Sequence, residues 1–463
     1  MTQAEDHAFL KRPNRTILWL SLPVTLSVIA EPLTGMVDTA FVAQLGASPL
    51  AALGVGTAVL STMFWIFIFL GISTQTEVAH ADGSGNQRRG VEMTSLALIL
   101  SLIFGGTMVI LALFGGELFS TWLGADGAVR ADAAAYIRVR GLGAPAVMIT
   151  FVGFGALRGL QDMKTPLWVA GGVNVLNIIL DAPFVFGWAF IPAMGVEGAA
   201  LASTLSQWVG AIWVLWVVNR RLGLIPYLRL SDVTSLLRVG GDLFIRTGLL
   251  TLFILLTTRA ANEISPEAGA AHQAIRTVWL FLGFMMEGFA VTVQSLVGYF
   301  LGAKRVDVAL KAAWLSTMWG LGTGFALSLL MFVGVDLVRL IFLPTPVLSM
   351  IQPDVVINFF TRQTTAELFY PAWMIAALVQ PLAGLAFVSD GIHWGTGDYT
   401  FLRNAMLAAA VVGVTGLLFV NSAGLGAFVV VWLATAAMLG MRALLGVTRV
   451  FPGFGHSPLR ESL

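Results

Sequence analysis

The 463-residue sequence predicts an all-α polytopic membrane protein, with twelve transmembrane helices in two pseudo-symmetric six-helix lobes. Three observations predict it. The chain is 57% hydrophobic and 11% charged, where a soluble domain carries about 25% charged residues. Long apolar stretches alternate with short charged or Gly/Pro-rich breaks, and the basic residues collect on alternate breaks. With a mean hydropathy of +0.86, the chain cannot clothe a water-facing surface. Disorder and most soluble enzyme folds are excluded with it. A net charge of +1 leaves no basic face for nucleic acid. The lack of cysteine removes disulfides, thiolate metal sites and a cysteine nucleophile.

A bilayer core takes about 20 mostly apolar residues per helix. Cutting at the breaks gives spans near 16–42, 50–78, 93–114, 134–157, 166–189, 197–218, 240–261, 269–298, 310–335, 366–389, 402–420 and 424–446. No small-residue cleavage site follows the first apolar stretch, so no cleaved signal peptide is expected. Lys11, Arg12, Arg15, Arg88, Arg89, Lys164, Arg220, Arg221, Lys304, Arg305, Arg403, Arg442 and Arg449 fall on the even-numbered connections and the termini, whereas Arg130, Arg138, Arg140, Arg339 and Arg362 fall on the other side. Because cytoplasmic loops retain basic residues, both termini are expected in the cytoplasm and the protein in the inner (plasma) membrane.

The long connection RRLGLIPYLRLSDVTSLLRVG divides an N-terminal lobe, 1–229, from a C-terminal lobe, 230–463. A shift of 219 places Ala51-Ala52 on Ala270-Ala271, Gln75 on Gln294 and Gly83 on Gly302. A shift of 236 places Gly155 on Gly391, Gly159 on Gly395 and Asp162 on Asp398. The change of 17 is assigned to a longer outer loop around IQPDVVINFFTRQTT. Six spans per half make this a parallel repeat, an arrangement used by secondary transporters.

Ionisable groups inside a membrane are costly and point to function. In span one, Glu31 and Asp38 lie seven residues apart, on one helical face. Pro32 stands between them and is expected to bend the helix and free carbonyls toward a cavity. Span five carries Asn174, Asn177 and Asp181 at i, i+3 and i+7, a polar stripe on one face. Span six adds Ser203, Thr204 and Gln207 as neutral oxygens. Asp38, Asn177, Asp181 and Thr204 therefore form a candidate ion-coupling cluster, able to take up a proton as a carboxyl pair or to cage a hard cation such as Na+. Under the repeat shifts the cluster has no counterpart in the second lobe, where Thr257 stands for Asp38 and Leu417 for Asp181. That lobe offers Arg246, Glu287 and Asp390, with Gln294 and His393 near them. Glu287 is expected to pair with Arg246, and Asp390 to cap a solvated helix end. No protease, hydrolase or nucleotide-binding motif stands in a water-facing context.

Four segments, EPLTGMVDTAFVAQLGASPLAALGVG, RGLQDMKTPLWVAGGVNVLNIILD, AAHQAIRTVWLFLGFMMEGFAVTVQSLVGYFLGAKR and QPLAGLAFVSDGIHWGTGDYTFLRNAM, resemble in order and spacing the multidrug and toxic compound extrusion (MATE) family, in particular its DinF-like branch. The resemblance implies a two-lobed antiporter, not an enzyme, that exports amphipathic and often cationic compounds through a central cleft by alternating access. It implies no cofactor beyond a coupling ion, H+ or Na+. Small organic substrates and the bilayer are the implied partners, nucleic acid is not, and a monomer is expected. The family's coupling residues match Asp38, Asn177 and Asp181, with Thr204 as the span-six partner; a Na+ would sit among these four. Glu287 departs from the Asp expected in this branch. The NorM-like branch places functional carboxylates in the second lobe, which brings in Asp390. Arg246, Glu31, Pro32, Asn174 and Gln207 remain candidates for substrate contact or gating. The alternative function is a flippase for a lipid-linked precursor, which would call for a cleft rich in bases.

Overall fold

The structure, a computed structural model, describes residues 6–189, 191–342, 368–420 and 424–451, together with 453, 455, 457 and 459. The loop 351–365 invoked for the longer second half lies outside them, as does the side chain of Glu31. The elements are α1 (Ala8–Lys11), α2 (Pro13–Ala43), α3 (Ala47–Ile66), α4 (Phe69–Gly83), α5 (Gln87–Trp122), α6 (Gly127–Gly141), α7 (Ala144–Gly159) and α8 (Lys164–Phe186). They continue as α9 (Gly195–Arg221), α10 (Leu230–Ile264), α11 (Pro266–Gly302), α12 (Val306–Phe342), α13 (Leu368–Leu378), α14 (Gln380–Thr396), α15 (Tyr399–Leu417) and α16 (Gly424–Val450).

Ten helical segments among the described residues are long and apolar enough to cross a membrane, with α3 and α4 forming one of them. Two bent pairs complete twelve: α6 with α7 at 48°, and α13 with α14 at 44°. Each bend has a proline in the first turn of its second helix, Pro145 in α7 and Pro381 in α14. There a missing N–H costs nothing, while the fixed φ favours a fresh helix start. The 236 shift places Pro145 on Pro381, so the bends recur at the same place in spans four and ten. Span one differs: α2 runs unbroken over Pro23 and Pro32.

The chain divides into two compact units, Met1–Gly240 with Gln294–Arg305, and Gly241–Val293 with Val306–Leu463. Within the first, Val42, Leu53, Leu60, Ile137 and Val185 pack together. Within the second, Met286, Phe369, Trp373 and Phe428 do so. Large apolar side chains such as Phe114, Trp122 and Leu329 stay exposed, as expected where the surrounding solvent is lipid.

In lipid, helices gain little by hiding apolar surface from one another, and close approach at small residues replaces that drive. Gly155 lies against the Gly71 carbonyl, and Gly391 lies against that of Ala290. The 219 shift carries 71 to 290 and the 236 shift carries 155 to 391, so both units use the same contact. Within the first unit, the end of α11 packs on α4. Gly83 faces the Tyr299 carbonyl and Gly302 faces that of His80, each glycine meeting the carbonyl three residues before its repeat equivalent. Gln294 Nε2 donates to the Ile72 carbonyl at 2.8 Å and to Thr76 Oγ1 at 2.9 Å.

The N-terminal turn is docked rather than loose. Phe9 is buried, and the His7 ring packs on Tyr299 and Phe300 at 4.9 and 5.0 Å. His7 Nδ1 accepts from the Phe9 N–H at 3.1 Å, so Nε2 carries the proton donated to Gln161 Oε1 at 2.9 Å. Burial holds the imidazole below its ordinary value, against the bond to Gln161, which raises it.

Two predictions follow from this packing. A folded-state value lowered for a base means that the unfolded segment takes up its proton first. The docking energy is therefore complete above the ordinary pKa of about 6.5 and is lost as pH falls below it. Amide exchange over residues 6–12 is expected to speed up between pH 7.5 and 5.5 in the wild type but not in His7→Gln; equal pH dependence in both would contradict the mechanism. Gly155→Val is expected to cost about 1–3 kcal/mol through overpacking, read as a lower melting temperature of the purified protein, while Gly106→Val, whose Cβ would meet nothing within 4 Å, leaves it unchanged.

Candidate functional site

The polar stripe of α8 lies along α2. Asn174 Nδ2 donates to the Ala30 carbonyl at 2.7 Å, and the Thr34 hydroxyl donates to Asn174 Oδ1. Nearer the far end of α2, Asn177, Asp181 and Asp38 come together, all of them buried. With its amide nitrogen turned to the carboxylate, Asn177 donates to Asp38 Oδ1 at 3.0 Å. From α9, Ser203 Oγ donates to Asp38 Oδ2 at 3.0 Å. Each such bond to an ionised group is worth about 1.5–3 kcal/mol. Both oxygens of Asp181 are buried and receive no donor from the described residues, and the neighbouring polar group is the Asp38 carboxyl.

The span-six partner is Ser203 and not Thr204. Thr204 Oγ1 donates to the Val139 carbonyl on α6 at 3.1 Å, because one residue along a helix turns the side chain about 100°. Gln207 is half-buried one turn further on and forms no hydrogen bond to the cluster among the described residues. Pro32 lies in α2 between the Ala30–Asn174 contact and Asp38.

Sequence reasoning missed two α6 residues. Arg140 lies within electrostatic reach of Asp38, with one terminal nitrogen buried and unpaired and its guanidinium 5.7 Å from the centre of the Phe64 ring. Tyr136, one turn earlier, is buried and packs over Gly56. Arg140 was counted with the outer-side charges although it falls within the expected span 134–157, and the structure places it just before the α6–α7 bend. The signal was the GLGAP run that follows it, which marks a break within a span and not a loop.

In the second unit, Arg246 from α10 and Arg442 from α16 both donate to Oδ2 of Asp390 on α14. Arg246 stacks over Trp394 at 5.5 Å and Arg442 over Phe387 at 5.3 Å. Asp390 is 2% exposed, which corrects the solvated cap expected for it, and Arg442 is buried in α16 and is not on a loop. A carboxylate can be buried here because two guanidiniums answer it. The ion pair of Arg246 is with Asp390, and Glu287 lies within electrostatic reach of the same arginine. His393 is buried with Nε2 3.1 Å from the Gly446 carbonyl.

The MatE family model matches residues 23–182 and 243–419, most of the chain. The chain belongs to the MatE family. It is therefore a secondary transporter of the MATE type, a multi-pass membrane protein and not an enzyme. Among its relatives, Protein DETOXIFICATION 44, chloroplastic, of Arabidopsis thaliana is 27% identical over 94% of this chain and 81% of its own length. DNA damage-inducible protein F of Escherichia coli is 27% identical over 94% of this chain and 92% of its own. The crystal structure of the Vibrio cholerae MATE transporter VcmN in the bent form superposes with a TM-score of 0.83 at 18% identity, covering 97% of each chain. That likeness establishes the twelve-helix MATE fold.

Since Ser203 touches Asp38 and Thr204 does not, Ser203→Ala is expected to slow gradient-driven transport about tenfold, the equivalent of about 1.4 kcal/mol, and Thr204→Ala less than about twofold. Transport rates in proteoliposomes decide it, and the reverse order would refute the assignment.

Proposed function

We propose that this MATE transporter exports amphipathic, often cationic organic compounds in exchange for protons, with Asp38 and Asp181 as the coupling pair. The observation that carries the reading is the buried carboxyl of Asp181, which has no donor among the described residues and sits beside a second carboxyl. Two adjacent carboxylates cannot both stay ionised out of water, and one proton bridging them satisfies both. Asp38 already accepts from Ser203 and Asn177. A Na+ ion would call for several further oxygen ligands around it, whereas a proton needs only the gap between the carboxyls.

In the proposed cycle, protonation from outside neutralises the pair and lets α2 shift along the stripe of α8, closing the site against the exported compound. Loss of the proton inside restores the charge and the affinity for a cation. Such exchange requires that proton and cargo favour different states. The basic residues on even-numbered connections support cytoplasmic termini in the plasma membrane. The four quoted segments support the DinF-like branch. The flippase alternative would need a cleft rich in uncommitted bases; Arg246 and Arg442 are committed to Asp390, which leaves Arg140 in one unit and Arg276 in the other.

Reconstituted in liposomes, the protein is expected to expel a fluorescent organic cation under a pH gradient and not under a Na+ gradient. Asp38→Asn and Asp181→Asn should each reduce this at least about tenfold, about 1.4 kcal/mol or more, with melting temperatures retained. Wild-type rates in both variants would sink the proton-pair reading, and export that follows Na+ alone would replace the proton with that ion.

A further inference from the structure

The second unit contains a recess of narrow clefts formed by α10, α11 and α16, partly open to the surroundings. His272, Arg276 and Trp279 line it from α11, at i, i+4 and i+7 on one face. Trp432 joins them from α16, and Phe253 and Thr257 from α10. Four buried nitrogens of these residues have no hydrogen-bond partner among the described residues: His272 Nδ1, Arg276 Nε, Trp279 Nε1 and Trp432 Nε1. His272 is 2% exposed and Trp432 1%. Native interiors rarely leave buried polar groups unpaired, and four around one recess need an explanation.

Three of the four can only donate, since neither the indole nor the guanidinium has an acceptor. The Thr257 and Thr435 hydroxyls beside them spend their protons on the Ile254 and Val431 carbonyls. Arg276 bonds Gln273 through Nη2 at 2.6 Å but has no carboxylate partner among the described residues. It stands ten residues into α11, about 15 Å along the helix, where an unpaired charge is costly and marks a site. Ile254 and Met438 complete the lining, and the His272 ring lies 5.4 Å from that of Trp432, centre to centre.

We propose that this recess in the C-terminal unit binds a small planar aromatic acid, with its carboxylate taken by Arg276 and the two indole N–H groups and its ring held among Phe253, His272 and Trp432. A cation of the same shape is rejected, because it would face the Arg276 charge and three donors. The narrow clefts must widen to admit the ring, so binding couples to the packing of α10, α11 and α16. The site belongs to the other unit and involves none of the residues of the Asp38 cluster. Its occupancy needs no ion gradient, so failure here and failure of the export reading are separate outcomes.

The test is a 19F NMR titration of the purified full-length protein in detergent with 4-fluorobenzoate and, separately, 4-fluorobenzylammonium, with protein-free micelles as the reference. The acid is expected to bind saturably and the ammonium compound not to. Arg276→Gln and Trp432→Phe, which keep the side-chain bulk, should each weaken the acid at least fivefold while melting temperatures hold. Asp38→Asn should leave binding unchanged. Absence of saturable binding by the acid, equal binding of the cation, or wild-type affinity in both folded pocket variants would each overturn the proposal.

Discussion

A carboxyl group held away from water must be answered by neighbours, and in the N-terminal unit Asp38 draws those neighbours from three helices. Asn177 reaches it from α8 and Ser203 from α9, while Asp38 itself is presented by α2. The same bonds that satisfy the charge set the register of these helices, since the α8 stripe meets α2 again at Ala30 and Thr34. In lipid there is little hydrophobic drive between helices, so polar register of this kind orders the bundle as well as serving its chemistry. Among the described residues, Asp181 receives no donor. It is on this open carboxyl that the proposed uptake of a proton rests.

The two units solve the problem of buried charge in opposite ways. In the first, two carboxyls share a site with one guanidinium at a distance, Arg140. In the second, one carboxylate, Asp390, is gripped by Arg246 and Arg442. On the proposed reading, the first arrangement changes state with a single proton. The second has its charges already matched, and breaking it by removing one partner would leave a buried charge unanswered. A duplicated scaffold has thus kept its glycine contacts and its proline bends while its polar residues diverged. The recess around Arg276 extends that divergence, placing donors in the C-terminal unit where the N-terminal unit places carboxyls.

What the sequence determined by itself was the class of the fold and the polar helical face that meets α2. Apolar length sets the spans because a bilayer demands about 20 residues of them, and all twelve reappear, two of them as bent pairs. The i, i+3, i+7 spacing of Asn174, Asn177 and Asp181 put one face of a helix on view, and that face is the one that meets α2. Helical periodicity is a local property, so it can be read without knowing the neighbours.

Only the tertiary structure decided which neighbour each polar side chain meets. Ser203 and Thr204 are adjacent in sequence and alike in chemistry, and only the rotation of α9 against α2 separates the one that bonds Asp38 from the one that bonds Val139. Asp390 beside a glycine read as a helix cap, since the arginines that bury it lie 144 and 52 residues away in the chain. Arg140 read as one more outer-side charge, since Asp38, the carboxyl within its electrostatic reach, lies far away in the chain. Charge, spacing and length are written along the chain; the pairing of buried charges depends on contacts between distant segments, and these form only when the helices pack.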